Sequence, residues 1–205
     1  MALPRESSFL AAQADEMVSG ARGPMPAVFL DRDGVVVVPE FRDGRSYAPR
    51  RIEDFRLYPD AGPSLRRLKQ AGFLLAVVTN QPDVGNGLIL RSDVDAMHEF
   101  MMRELPVDVL KACFHRRDDH CACRKPRPGM LLEAAGELGI DLTRSFMVGD
   151  RNSDVEAGRA AGCATVLIDL GYAESAPASP DYVVHSIAEA ADVIIDATPT
   201  VQGAP

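Results

Sequence analysis

Short apolar runs and longer segments of helical spacing alternate along most of the chain. Residues 27–30 (Ala-Val-Phe-Leu) form an unbroken apolar run that ends in acids, as a parallel strand buried on both faces reads. A helix opens at Pro59-Asp60-Ala61, carries Leu65, Leu68 and Ala71 at helical spacing, and stops at Gly72. Further strands are predicted over 74–78, 107–113, 146–148, 164–168 and 182–184. Further helices are predicted over 91–105 with Ser92 as N-cap, over 128–138 closed by Gly139, and over 187–197. Ser153 and Glu156 have capping-box spacing at one more helix start, and Gly162 marks its end.

Strand–helix alternation predicts an α/β fold: a three-layer, Rossmann-like parallel sheet with helices on both faces. Ligands of such sheets sit beyond the carboxyl ends of the strands. The polar groups Asp31/Asp33, Thr79/Asn80 and Asp150 each follow a strand, so three separate segments deliver them to one sheet edge. The 45 residues between Asp33 and Thr79 are taken up by a loop and a helix, which leaves no room for a separate cap domain. Residues 25–197 are read as a single domain, residues 1–24 as a flexible extension and residues 198–205 as a disordered tail.

Composition narrows the class. At 205 residues the chain fits one domain, with 46% apolar and 25% charged residues. A net charge of −8 gives no general basic surface for nucleic acid. No apolar run reaches the roughly 20 residues that cross a bilayer, and the N-terminus makes a poor secretory signal. A cytoplasmic monomer acting on a small molecule is the expectation. Three of the four cysteines fall within eleven residues (Cys113, Cys121, Cys123), beside a histidine. That clustering suggests metal ligands in a reducing compartment rather than a disulfide framework.

Asp31-Arg32-Asp33-Gly34 sets two carboxylates two residues apart at a strand end. A phosphate monoester can be split by attack of a carboxylate on phosphorus, followed by hydrolysis of the acyl phosphate. Asp31 suits the nucleophile. Asp33 suits the acid that protonates the leaving oxygen and later activates water, and Gly34 permits a sharp turn. An anionic nucleophile meeting an anionic phosphate needs a cation, and Mg2+ accepts a few carboxylates while keeping positions for water and phosphate. Asp150 can complete that Mg2+ shell, and Asp154, one turn on, can hold the metal's waters or Lys125. Thr79, Asn80 and Gln81 offer neutral donors for phosphate oxygens. Lys125 is one of three lysines against nineteen arginines, and its compact ammonium suits charge neutralisation on nucleophile and phosphate. Arg124 beside it can take a second anionic group. Taken singly, each of these residues also has an ordinary reading as a turn, a cap or a solvated charge.

D-x-D-G, T-N, K-P and G-D-x-x-x-D, in this order and each after an apolar strand, resemble the haloacid dehalogenase superfamily. The resemblance covers residues 27–170. It implies Asp31 as nucleophile, Asp33 as acid/base, Thr79 and Lys125 as phosphoryl ligands, and Asp31, Asp33 (through its backbone carbonyl) and Asp150 on Mg2+. A receiver domain shares some of these groups, but it is shorter, carries its acceptor Asp after a middle strand and has no metal hooks.

Cys113-x-His115 and Cys121-x-Cys123 supply the donors of a closed, structural Zn2+ site. Its work would be to pin the loop carrying Arg124 and Lys125, and His120 is a competing fourth ligand. Two groups of the superfamily carry such a knuckle before C-R-K-P: heptose bisphosphate phosphatases and histidinol-phosphate phosphatases. Residues 124–132 and 146–150 resemble the heptose group more closely, which implies a sugar bisphosphate contacted by Arg124, Lys125 and Arg151. The short loop between His115 and Cys121 is similar to that of the histidinol group and of only some heptose enzymes. Asp83-Val84-Gly85-Asn86-Gly87 departs from the heptose pattern by lacking an arginine before the last glycine. Without a cap, the zinc loop and the loop 39–51, with Tyr47, must frame the substrate.

Overall fold

The computed structural model describes residues 23–42, 45–172 and 179–198. Of the extension read over 1–24 and the tail read over 198–205, residues 1–22 and 199–205 lie outside the described residues.

The main sheet holds six parallel strands: β1 (Ala27–Leu30), β4 (Leu74–Asn80), β5 (Val109–Cys113), β6 (Phe146–Gly149), β7 (Ala164–Ile168) and β8 (Tyr182–Val184). Their spatial order is β5-β4-β1-β6-β7-β8. Among the described residues the α-helices are α1 (Ala61–Gln70), α2 (Pro82–Gly85), α3 (Arg91–Glu104), α4 (Gly129–Leu138), α5 (Asn152–Ala161) and α6 (Ile187–Ala197). Alternate side chains of each strand go to opposite faces. Val28 and Leu30 of β1, Leu75 and Val77 of β4, and Phe146 and Val148 of β6 pack with Leu65, Leu68, Met97, Met101, Ile187 and Ile194. Ala27, Phe29, Ala76, Val78 and Met147 instead meet Met130, Leu131, Ala134 and Ala157. Helices α1, α3 and α6 therefore cover one face, and α4 and α5 the other. This is the expected three-layer architecture.

β1 lies between β4 and β6, and the chain passes to one side of it and then to the other. Strand order reverses there, and a crevice opens above the carboxyl ends of these strands. Among the described residues no cap domain intervenes between β1 and β4. The segment read as the loop 39–51 contains a small antiparallel hairpin, β2 (Glu40–Arg42) and β3 (Arg45–Tyr47). Strands of three residues are too short to show a period-2 pattern.

Two expected caps fall elsewhere. Helix α3 starts at Arg91 with Leu90 in the N-cap position, so Ser92 lies inside the first turn. Helix α5 starts at Asn152, and the Arg151 backbone N–H donates to Asp154 Oδ2 at 3.0 Å, so Asp154 does what Glu156 was expected to do. Arg151 keeps extended backbone (φ −135°, ψ 159°) as the chain leaves β6, which sets the helix start ahead of Ser153.

Candidate active site

A cleft of about 870 Å³ opens above the strand ends and includes Asp31, Asn80, Gln81, Lys125 and Asp154 in its wall. Asp31 follows β1, where its backbone N–H still donates to Val148 of β6 (2.9 Å). Asp150 follows β6. Gly34 turns the chain back with φ +86°, and a Cβ there would overlap the Asp150 carboxylate, so only glycine lets the two segments close up.

Lys125 is buried; its ammonium donates to Val78 O at 2.7 Å and forms ion pairs with Asp31 Oδ1 at 2.8 Å and Asp154 Oδ1 at 2.7 Å. Burial works against its charge, but Asp154 and Asp31 more than offset that and hold its pKa above the ordinary value. Asn80 fixes the lysine's backbone from both sides. Its Nδ2 donates to Lys125 O and its Oδ1 accepts from Lys125 N, each at 3.1 Å.

Carboxylate oxygens of Asp31, Asp150 and Asp154 lie within 4.8 Å of one another, all three buried. Burial, then the Asp31 and Asp154 charges, push the Asp150 carboxyl well above its usual range. Burial also lifts Asp154 to about 6, against the pull of Lys125. Asp150 Oδ1 is buried and accepts no hydrogen bond, while Oδ2 accepts from the Tyr172 hydroxyl at 2.7 Å. Crowded anions with an unused oxygen are what a divalent cation would relieve, so these residues fit Mg2+. Both Asp154 oxygens are engaged, by Lys125 and by the Arg151 N–H, which suits holding the lysine.

Asp33 stands apart from that acidic cluster. Its carboxylate receives Arg32 Nε and Nη2 at 3.0–3.2 Å and Gln81 Nε2 at 2.9 Å. Gln81 Nε2 also reaches Thr79 Oγ1 at 2.9 Å, and Thr79 is buried behind it rather than in the cleft wall. Arg32 is wholly buried, and its Nη1 contacts His98 Nε2 at 3.0 Å. Guanidinium only donates, so Nε2 accepts and His98 is neutral. Burial, followed by the Arg32 charge, lowers His98 to about 3.

The unfolded chain, with His98 near 6.5, takes up a proton that the folded chain refuses. Stability from this group is complete above pH 6.5 and falls away as pH drops toward 3. At pH 5 the loss is about 2 kcal/mol, or about 4–8 °C in melting temperature. Between pH 7 and pH 5, thermal melts of His98→Gln should therefore fall by that much less than those of the parent. Equal falls would contradict the neutral assignment.

The cleft wall carries four arginines, Arg117, Arg124, Arg127 and Arg151, with His120, Asp83 and Glu156 beside them, in a chain of net charge −8. Arg124 Nη1 is buried without a hydrogen-bond partner. Arg151 Nη2 donates to the Ser46 carbonyl (2.9 Å) and hydroxyl (2.7 Å), tying the hairpin to the helix α5 start. Tyr47 lies on the same hairpin, 38% exposed, and also faces the cleft.

Beside the cleft, Cys113 Sγ, His115 Nδ1, Cys121 Sγ and Cys123 Sγ lie within 4.8 Å of one another. Measured contacts among them run from 3.3 to 3.6 Å. Burial and the neighbouring sulfurs push the Cys123 thiol up to about 12 and burial raises Cys113, while at Cys121 burial is outweighed by hydrogen bonds from its neighbours, which lower it; a bound cation would replace the protons that Cys113 and Cys123 retain. Three sulfurs and one imidazole nitrogen at these separations fit Zn2+. His120, the competing ligand, lies outside this group.

Sequence reasoning passed over Arg32, His98, Ser46 and Tyr172. Only His98 carried a signal, because its spacing from Val94, Met97 and Met101 places it on the buried face of α3.

Comparison with known proteins agrees with this architecture. Residues 122–190 match the HAD-hydrolase-like family model. A D-glycero-beta-D-manno-heptose-1,7-bisphosphate 7-phosphatase of Yersinia pestis is 36% identical over 180 residues, covering 80% of this chain and 93% of the relative. The enzyme of that name from Rhodopseudomonas palustris is 39% identical over 149 residues, 67% of this chain and 79% of its own. The crystal structure of a D,D-heptose 1,7-bisphosphate phosphatase from B. bronchiseptica, complexed with magnesium and phosphate, superposes with a TM-score of 0.74. It is 31% identical and covers 85% of this chain and 100% of that one. The chain belongs to the haloacid dehalogenase-like family and is a phosphatase. Within that class the relatives named above carry the name heptose 1,7-bisphosphate phosphatase.

Proposed function

We propose that this phosphatase removes the 7-phosphate from D-glycero-β-D-manno-heptose 1,7-bisphosphate, using Asp31 as nucleophile and Asp33 as general acid and base. The observation that carries the reading is the make-up of the cleft wall: the buried Asp31–Lys125 pair together with the more exposed Arg117, Arg124, Arg127 and Arg151. Such a cleft suits a substrate with two phosphates, one at the buried pair and one at the arginines. The names of the relatives point the same way.

In this scheme an Asp31 oxygen bonds to phosphorus as the bond to the sugar oxygen breaks, and Asp33 passes its proton to that leaving oxygen. Asp33, now a carboxylate, takes a proton from water as the water attacks the aspartyl-phosphate. Inorganic phosphate leaves and Asp31 is restored. Lys125 keeps Asp31 in place and balances its charge, while Arg124 and Arg151 face the second phosphate. Gln81 and Thr79 support the Asp33 side of the site, and Tyr47 borders the sugar. Mg2+, held by Asp31, Asp150 and the Asp33 carbonyl, would supply charge neutralisation at the transferring phosphoryl group. Zn2+ on the Cys113, His115, Cys121 and Cys123 set would pin the loop that carries Arg124 and Lys125. A single chain supplies every group the scheme uses, so a monomer suffices.

Phosphate release tests the substrate. With Mg2+ present, kcat/KM for the heptose bisphosphate should exceed that for histidinol phosphate by at least about 10²-fold. Preference for histidinol phosphate would move the assignment to that activity, and preference for another small sugar phosphate would do the same.

A further inference from the structure

A guanidinium at zero solvent exposure is costly unless every partner is in place. Arg32 lies one residue after the proposed nucleophile, outside the cleft wall, and the scheme above gives it no task. Its fork grips both oxygens of Asp33 through Nε and Nη2, while Nη1 turns the other way to His98 Nε2 at 3.0 Å. The Phe55 ring lies 5.4 Å from the guanidinium carbon. His98 is 6% exposed and reaches Arg32 from helix α3, on the helix's core side.

The chemistry of the far partner is informative. A carboxylate at position 98 would satisfy Arg32 equally well, but it would compete with Asp33 for the same positive charge. A neutral imidazole nitrogen holds the guanidinium in place without adding a second anion beside it. His98 stays neutral at working pH because burial and the Arg32 charge keep it unprotonated to about pH 3.

We propose that His98 and Arg32 form a buried positioning pair that aims the Asp33 carboxyl at the leaving oxygen. The inference rests on the reading of Asp33 as general acid. Neither residue touches substrate; each acts through Asp33.

Leaving-group chemistry separates this role from a structural one. A sugar alkoxide must be protonated as it departs, whereas p-nitrophenolate leaves with little help. The constant kcat/KM reports only the steps through leaving-group departure. In the full chain, His98→Leu should lower kcat/KM for the sugar phosphate by about 10–100-fold and for p-nitrophenyl phosphate by no more than about 3-fold. His98→Gln, which restores a neutral acceptor, should bring the sugar phosphate back to within about 3-fold of the parent. If the leucine variant does not fold, His98→Asn, too short to reach Arg32, should give the same split.

Asp33→Asn, measured alongside, serves as the control. If Asp33→Asn shows the split and the His98 variants lose both substrates equally, or neither, the positioning pair is refuted. If Asp33→Asn itself shows no split, the general-acid reading fails, and the inference with it.

Discussion

Replacing Asp31 with asparagine is expected to lower kcat for phosphate release by at least about 10⁴-fold while the protein still melts cooperatively. The loss is large because the amide cannot form the acyl phosphate, so no slower version of the same route remains. The fold should tolerate the change. Asp31 Oδ1 is one of three acceptors around Lys125, and the amide oxygen can take its place opposite the ammonium. The substitution also removes one of three buried carboxylates that repel one another. Purified parent and variant, compared by phosphate release and thermal melting, check both halves. A variant with unchanged turnover would remove the covalent route, and one that fails to fold would show that Asp31 is needed for structure.

The second large effect is on stability. Cys121→Ser should lower the melting temperature by about 10 °C or more, because a structural Zn2+ site contributes several kcal/mol and each kcal/mol shifts a chain of this size by about 2–4 °C. Cys121 is bonded into the loop twice. Its Sγ lies 3.4–3.5 Å from both other sulfurs, and its carbonyl accepts from Arg127 Nη1 at 2.7 Å. The same loop presses Gly129 against Ala122, where a Cβ would overlap the Ala122 carbonyl. Losing the clamp should loosen the segment before Lys125 and lower activity as a consequence. Metal analysis should find one zinc per parent chain and less in the variant, and a chelator should reproduce the shift in the parent. A variant with normal melting and reduced kcat would contradict a structural role for this cluster.

Much of the fold was legible because buried parallel strands are short and wholly apolar, and because their helices repeat Leu, Met and Ala at helical spacing. The β1 run, Leu74 to Val78 and Phe146 to Val148 have that form, so the sheet and its functional edge could be read directly. The edge where the candidate site lies was legible because the chain places a polar group just after such a run, as at Asp31 and Asp150. The rest depends on contacts that no local pattern encodes. Tyr172 reaches Asp150 across 22 residues and Gln81 reaches Asp33 across 48. The hairpin at 40–47 leaves no periodic trace, yet Ser46 holds Arg151 across 105 residues. Asn80 looked like a phosphate ligand by residue type, but both ends of its amide are taken up by the Lys125 backbone. His98 could have been flagged as the one strongly polar side chain on the buried stripe of α3. Only the folded chain shows that it faces Arg32.

The most direct test of the central claim is chemical capture of the intermediate. Protein quenched during turnover of a sugar phosphate, reduced with borohydride and digested, should carry its modification on Asp31 in the peptide that spans β1, with none in Asp31→Asn. A modified residue elsewhere, or rapid turnover with no adduct at any position, would contradict the account.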